Sequence, residues 1–286
     1  MAMTIHGALM WASSFLREHN RDENGGEWLL RHRLGFTRAQ LLALFSERLT
    51  DRDWKWFQAQ VKRLSEGVPV QHILGFEEFY GRRFEVNEHV LIPRPETEEL
   101  VQEILQWKRQ VFKAQPVRYV DVGTGSGAIA VTLKLEDPES QVFAVDLSEK
   151  ALEVAARNAN RLGADVVFQK GDLLTPFIGQ ATFDIVVSNP PYIPTEDIHT
   201  LDDVVKHHEP HLALDGGPDG LVMYRRLCRD LPKVLASPGI VGFEVGDGQA
   251  EAVRMLLAAA FPNKANVFVK RDISNKERMC IAVTYS

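Results

Sequence analysis

From Tyr119 onward the chain alternates short apolar, β-prone runs with helix-forming stretches, and this alternation limits the fold more than any other feature. The runs are Tyr119 to Val122, Val142 to Asp146, Val166 to Gln169, Phe183 to Ser188 and Ile240 to Val245. Between and after them the sequence predicts helices from Gly127, from Glu149 to Leu162 with Gly163 as the stop, near Asp219 to Leu235, and from Gln249 to Ala260. Apolar runs separated by helices are the pattern of strands buried on both faces, so an α/β domain is expected, a parallel sheet wound with helices on both sides. The end of the chain breaks the pattern. Asn266 to Lys270 and Met279 to Thr284 are strands joined by a loop too short for a crossover helix, so the last strand is expected to run antiparallel to its neighbour.

The first quarter reads differently. Residues 1–66 show helical spacing and no strand-like alternation, which predicts a small helical bundle. Met1 to Leu16 places Ile5, Leu9, Ala12 and Leu16 on one face and lacks a basic leading segment, so it is expected to be an amphipathic helix and not a signal peptide. Thr37 and Gln40 have capping-box spacing, and Thr50 with Asp51 can begin a helix whose face carries Trp54, Phe57, Val61 and Leu64, with Trp56 off that face. Val70 to Leu74 and Arg83 to Val86, set apart by Gly75 and Gly81, predict a β-hairpin within a linker of residues 67–93. Pro95, followed by Glu96, Glu98 and Glu99 in the electropositive first turn, opens a helix to about Gln110. Residues 94–286 then form the α/β domain.

Composition excludes several classes. A chain of 286 residues with 45% hydrophobic side chains is ample for two cored domains, and no apolar run approaches the roughly 20 residues that cross a bilayer. A net charge of −6 gives no basic field for tight, sequence-independent nucleic-acid binding. Cys228 and Cys280 have no CxxC or zinc spacing and read as two buried thiols of a reducing compartment, so a cytoplasmic location is expected. His199, His207, His208 and His211 crowd a loop with Glu209, but no completing ligand accompanies them, so a polar loop is expected there and no metal.

Two segments carry chemistry. In Asp184 to Tyr192 a buried strand runs into Asn189-Pro190-Pro191-Tyr192, where each proline fixes its own φ and keeps the preceding residue out of the helical region. The Asn189 carboxamide and the Pro190 carbonyl can both accept from one NH2 group, and Tyr192 offers a flat face to stack on it. Such a site positions a weak nitrogen nucleophile. The second segment, Asp121 to Ala128, sets Gly123, Thr124, Gly125, Ser126 and Gly127 between the first sheet strand and its helix, where a nucleotide-like ligand is expected. It satisfies G-x-G-x-x-A with Asp146 at ribose-binding distance in sequence, which keeps a dinucleotide reading open. Against a pyrophosphate stand Asp121, Asp146 and Asp172, three carboxylates at the carboxyl ends of three neighbouring strands, which suit a cationic nucleoside better, and Asp121 has the alternative, compatible role of capping backbone amides of the glycine loop.

The glycine loop, Asp146, Gly171-Asp172 and Asn189-Pro190-Pro191-Tyr192 together resemble the Rossmann-like S-adenosylmethionine-dependent methyltransferases, as does the final strand hairpin. Within that class the chain resembles the protein-(glutamine-N5) methyltransferases acting on peptide chain release factors. This closer likeness is carried by Pro69 to Gly75, Leu91 to Glu98, Glu209 to Gly220, Phe243 to Gly246, and Arg271-Asp272 with Glu277-Arg278, across residues 67 to 286. The resemblance implies S-adenosyl-L-methionine as cofactor, with Gly123 to Gly127 at its methionine end, Asp146 on the ribose hydroxyls, and Asp172 with Leu173 at the adenine. It implies Asn189 and Pro190 as acceptors for a substrate glutamine in the Gly-Gly-Gln motif of a release factor, with Pro191 and Tyr192 beside them. Leu173 departs from members that carry an aromatic next to the adenine. An adenine amino group presents the same planar NH2, so a DNA or RNA amino methyltransferase is the alternative, although such enzymes flip their base and need a positive surface. No metal, no membrane, no stable nucleic-acid complex and a monomer are expected.

Overall fold

A computed structural model describes residues 3–285; Met1, Ala2 and Ser286, which begin and end the expected helix and domain ranges, lie outside the described residues. The chain forms two compact units, one extending to Phe76 together with Asp202–His208, the other comprising Glu77–Leu201 and the chain from Glu209 on.

The first unit is built from α1 (Ile5–Glu18), α2 (Gly25–Leu34), α3 (Arg38–Ala43), α4 (Asp51–Ser65) and α5 (Val70–Leu74). Thr50 caps α4 by accepting from the Asp53 amide, and Thr37 with Gln40 completes the expected capping box at α3. Ala8, Ala12, Leu16, Leu29, Leu30, Phe57 and Val61 meet in one core. Trp56, expected off the apolar face, is half-buried against the same core and lies under the Arg33 guanidinium at 5.2 Å. Val70 to Leu74 corrects the sequence reading, because this stretch is helical and not the first strand of the hairpin. Val70, Ile73 and Leu74 stand at i, i+3 and i+4 and pack on the helical core, while Gly75 in the left-handed region ends the turn with its amide on the Gln71 carbonyl.

The hairpin falls later, as β1 (Phe76–Phe79) and β2 (Arg82–Glu85). It is followed by α6 (Pro95–Val111), β3 (Arg118–Val122), α7 (Ala128–Glu136), β4 (Gln141–Asp146), α8 (Glu149–Leu162), β5 (Val166–Lys170) and β6 (Phe183–Ser188). After the short α9 (Asp203–His208) of the first unit come α10 (Val222–Asp230), β7 (Leu235–Glu244), α11 (Ala250–Ala260), β8 (Ala265–Arg271) and β9 (Glu277–Thr284). The helix expected to reach Leu235 ends at Asp230 and tightens into a 3-10 turn at Leu231–Lys233, since Pro232 supplies no amide to continue it.

The sheet order is β5-β4-β3-β6-β7-β9-β8. Strands β3 to β7 pair in parallel, and β9 runs antiparallel to both β7 and β8, as the short final loop predicted. Alternate residues feed two cores. Tyr119, Ala144, Ile185 and Ile240 pack under α6 and α7, while Val120, Val186, Val241 and Phe243 pack under α10 and α11. Cys228 and Cys280 are buried free thiols, both pushed up to about 12 by burial. No helix among the described residues is long and apolar enough to cross a membrane.

Candidate active site

A cavity of about 310 Å³ opens where β3, β4, β5 and β6 end. Among the residues named from sequence, Gly123, Gly125, Asp146, Asp172, Leu173, Asn189 and Pro191 line it, and Thr124, Ser126, Gly127, Pro190 and Tyr192 do not. Val90 and Leu91 from the segment after the hairpin, Leu147, Ala213 and Met223 supply apolar wall. Gly123 and Gly125 have φ of +74° and +54°, values an L side chain rarely adopts, and nothing lies within 4 Å of where a Cβ would stand, so the cavity meets bare backbone here. Gly127 is needed for another reason. A Cβ there would come 3.0 Å from the Ala155 Cβ and push α7 away from α8.

Asp146 ends β4 with both oxygens engaged, one accepting from the Gly125 amide at 2.9 Å, the other from the Ser148 amide at 2.8 Å. Burial raises its carboxyl above the usual aspartate range, and those amides oppose the shift. Asp172 faces Arg226 at 2.6 Å. Of its two expected roles, Asp121 takes the structural one. It does not line the cavity but sits fully buried beneath the glycine loop, where one oxygen accepts from the Thr124 hydroxyl at 2.6 Å and the Ala130 amide at 3.2 Å. Its position on β3 aims it toward α7, and it fastens the loop to that helix's first turn. Its other oxygen is buried with no partner among the described residues, and burial pushes the carboxyl up to about 7.

The Asn-Pro-Pro-Tyr segment leaves β6 with its backbone clamped from outside. The Ile193 amide donates to the Leu214 carbonyl, and Gly216 donates back to Ile193. Gln249 donates to the Tyr192 carbonyl at 2.8 Å. A Cβ at Gly220, whose φ is +71°, would overlap that same carbonyl oxygen. The ring of Tyr192 joins the core beneath α10 and α11, and burial pushes its phenol up to about 12. Tyr192 is therefore neutral and cannot serve as a base near pH 7.

Sequence reasoning missed the partners of Asn189. Its side-chain nitrogen lies 3.2 Å from the Thr97 hydroxyl in α6, and that hydroxyl donates to Glu244 at the end of β7 over 2.6 Å. Thr97 and Glu244 lie in Leu91 to Glu98 and Phe243 to Gly246, two of the stretches quoted above, but residues 147 positions apart give no local sign that they touch. Asn158 was missed as well. This fully buried residue on α8 joins the Glu85 backbone to the Ser126 carbonyl of the glycine loop. Arg94 and Glu209 form an ion pair at 2.5 Å, and Glu96 sits in the first turn of α6. Of the histidines, His211 faces Asp215 and His207 faces Asp203; among the described residues no three His, Cys, Asp or Glu gather as metal ligands.

The family described as PrmC N-terminal domain matches residues 7–75, and the methyltransferase small domain matches residues 104–228. The chain is 50% identical over 282 residues to the release factor glutamine methyltransferase of Bacillus cereus, covering 98% of this chain and 99% of that protein. It is 49% identical over 284 residues to the protein of the same description from Bacillus subtilis strain 168, covering 99% and 98%. Among solved structures, a methyltransferase from Pyrococcus furiosus superposes with a TM-score of 0.53 at 17% identity, covering 80% of this chain and 99% of that one, a likeness of fold alone.

Proposed function

The chain belongs to the release factor glutamine methyltransferases, and we propose that it transfers a methyl group from S-adenosyl-L-methionine to the side-chain nitrogen, N5, of the glutamine in the Gly-Gly-Gln motif of class-I peptide chain release factors. The observation that carries the site reading is the position of Asn189. Its carboxamide lines the cavity shared with Gly125 and Asp146, its nitrogen is tied to Thr97, and its oxygen has no partner among the described residues.

The cavity fits the cofactor. A nucleoside-sized space, bare backbone at Gly123 and Gly125, a carboxylate at Asp146 and apolar walls at Leu147 and Leu173 match a methionine end, ribose hydroxyls and a purine face. Bound there, S-adenosylmethionine supplies the methyl group on a positively charged sulfonium, an electrophile that needs no metal. On this reading Gly123, Thr124, Gly125, Ser126 and Gly127 hold the methionine end, Asp146 the ribose, and Asp172 with Leu173 the adenine.

The chain's own residues do the rest by placement. A carboxamide nitrogen is a poor nucleophile because its lone pair is delocalised into the carbonyl. Asn189 Oδ1 and the Pro190 carbonyl accept its two hydrogens, which fixes its plane and raises its electron density. Pro190 and Pro191 hold those acceptors rigid, so the gain comes from alignment and not from proton transfer by the enzyme. Tyr192 backs the segment as a neutral ring.

The domain reading follows the same division: residues 1–66 dock the protein substrate, 67–93 link, and 94–286 carry out the transfer. The enzyme acts as a monomer in the cytoplasm, in translation termination, and its net charge of −6 supports the absence of a stable nucleic-acid complex. Transfer to an adenine amino group is set aside, because relatives matched along nearly the whole chain are release factor enzymes. Incubation with cofactor and a release factor, followed by mass spectrometry, is expected to find one added methyl on the motif glutamine; an unmodified glutamine overturns the reading.

A further inference from the structure

Thr97, Glu244 and Asn189 come from three separate elements and meet at the edge of the cavity. Thr97 and Glu244 are 5% and 3% exposed, so water does not compete for their hydrogen bonds. The logic of the chain runs in one direction. A threonine hydroxyl has one proton; burial pushes the Glu244 carboxyl up to about 7, and in its ionised form, above that pH, it can only accept, so over the 2.6 Å contact Thr97 donates to it. Toward Asn189, 3.2 Å away, the hydroxyl then has only lone pairs to offer. With Glu244 ionised, the end of the carboxamide that faces Thr97 is therefore NH2, and the oxygen points elsewhere. Glu244 is itself held firmly: its backbone pairs with Met279 of β9, and its carbonyl accepts from the Tyr224 hydroxyl at 2.8 Å.

We propose that Thr97 and Glu244 are positioning residues that lock the Asn189 carboxamide with its oxygen toward the substrate, and that this lock makes the site select a carboxamide NH2 over a carboxylate. The two ends of an asparagine side chain are nearly the same size, so packing alone does not choose between them. Without the lock the group turns over and presents two donors to a substrate that also offers donors. With it, a glutamine finds an acceptor, whereas a glutamate in the same place brings only acceptors against an acceptor. Discrimination of this kind depends on leaving the wrong ligand's polar groups repelled or unpaired, which costs far more than a change of shape.

This inference rests on the proposed function, and its test separates the two. Thr97→Val keeps the shape and removes the hydroxyl; Thr97→Ser keeps the hydroxyl. Glu244→Leu removes the acceptor and frees the Thr97 proton to turn toward Asn189, while Glu244→Gln retains an acceptor oxygen. Each full-length variant is assayed for cofactor affinity by calorimetry, for kcat/KM on a release factor, and for inhibition by a release factor carrying glutamate in place of the motif glutamine. Thr97→Val and Glu244→Leu are expected to lose roughly tenfold or more in kcat/KM, the cost of one misplaced buried hydrogen bond. Cofactor affinity is expected to hold within about twofold, the glutamate form should inhibit these two variants more strongly than the parent, and Thr97→Ser and Glu244→Gln should restore parental behaviour. Parental kcat/KM in both Thr97→Val and Glu244→Leu overturns the lock, and so does a loss that the serine and glutamine variants share or that leaves the glutamate inhibition unchanged. A parent enzyme that adds no methyl to the release factor fails differently, since it removes the function on which the lock depends.

Discussion

Asn158 satisfies both backbone hydrogen-bonding groups of Glu85 with one carboxamide, its oxygen accepting from the Glu85 amide at 2.7 Å and its nitrogen donating to the Glu85 carbonyl at 3.0 Å. The same nitrogen donates to the Ser126 carbonyl at 2.9 Å, so a residue in the middle of α8 fixes the end of the hairpin to the glycine loop.

Asn158→Ala strands the Glu85 amide and carbonyl and the Ser126 carbonyl in a buried place. A loss of about 2–4 kcal/mol in unfolding free energy is expected, from unmade buried hydrogen bonds and a small cavity. Cofactor affinity should fall with it, because the glycine loop loses its support. Urea titration and calorimetry check both; a variant with parental stability shows that the bridge carries no weight.

Asn189→Ala is expected to bind the cofactor nearly as well as the parent and to lose almost all transfer, since the truncated side chain is an acceptor for the substrate and not a wall for the nucleoside. Single-turnover transfer measured beside binding calorimetry gives the answer, and parental activity would remove Asn189 from the mechanism.

Gly220→Ala puts a methyl group against the Tyr192 carbonyl oxygen at a φ of +71°. The substitution should cost a few kcal/mol and shift the Asn-Pro-Pro-Tyr segment, so kcat falls more than cofactor affinity. An active enzyme with unchanged Tm would mean that the clamp yields easily.

Asp121 makes stability depend on pH with a definite sign. Its carboxyl is at about 7 in the folded chain, chiefly through burial, against 3.8 for the ordinary group; Thr124 and the Ala130 amide pull it down and Asp146 pushes it up. The folded state therefore binds this proton more tightly than the unfolded state. The stabilisation that results is complete below about pH 3.8 and is lost as pH rises to about 7. Asp121→Asn lacks this titration. Its Tm relative to the parent should climb between pH 4 and pH 8, and parallel Tm curves across that range would contradict the assignment.

The parallel strands were legible because strands buried on both faces are written as unbroken apolar runs, and Val142 to Asp146 or Phe183 to Ser188 could be read within a residue of their ends. Val70 to Leu74 was misread because five residues carrying β-branched Val70 and Ile73 satisfy a strand and a single helical turn equally, and only the core of the first unit decides between them. The cavity side of the site was legible wherever backbone chemistry demands a residue type, as at Gly125 and Pro191. Asp121 kept two roles because sequence gives its strand and not the face from which it leaves. Thr97 and Glu244 could not be found at all: their role exists only through contacts between α6, β6 and β7.

The insertion of β9 between β7 and β8 has a consequence for how the molecule is made. On the ribosome, β7 and β8 emerge first; β7 can pair with β6, but the neighbour that β7 and β8 share is missing until residues 277–284 follow. Glu244 pairs with Met279 in that late strand, so the nascent protein carries an open sheet edge until almost the whole second unit has been synthesised.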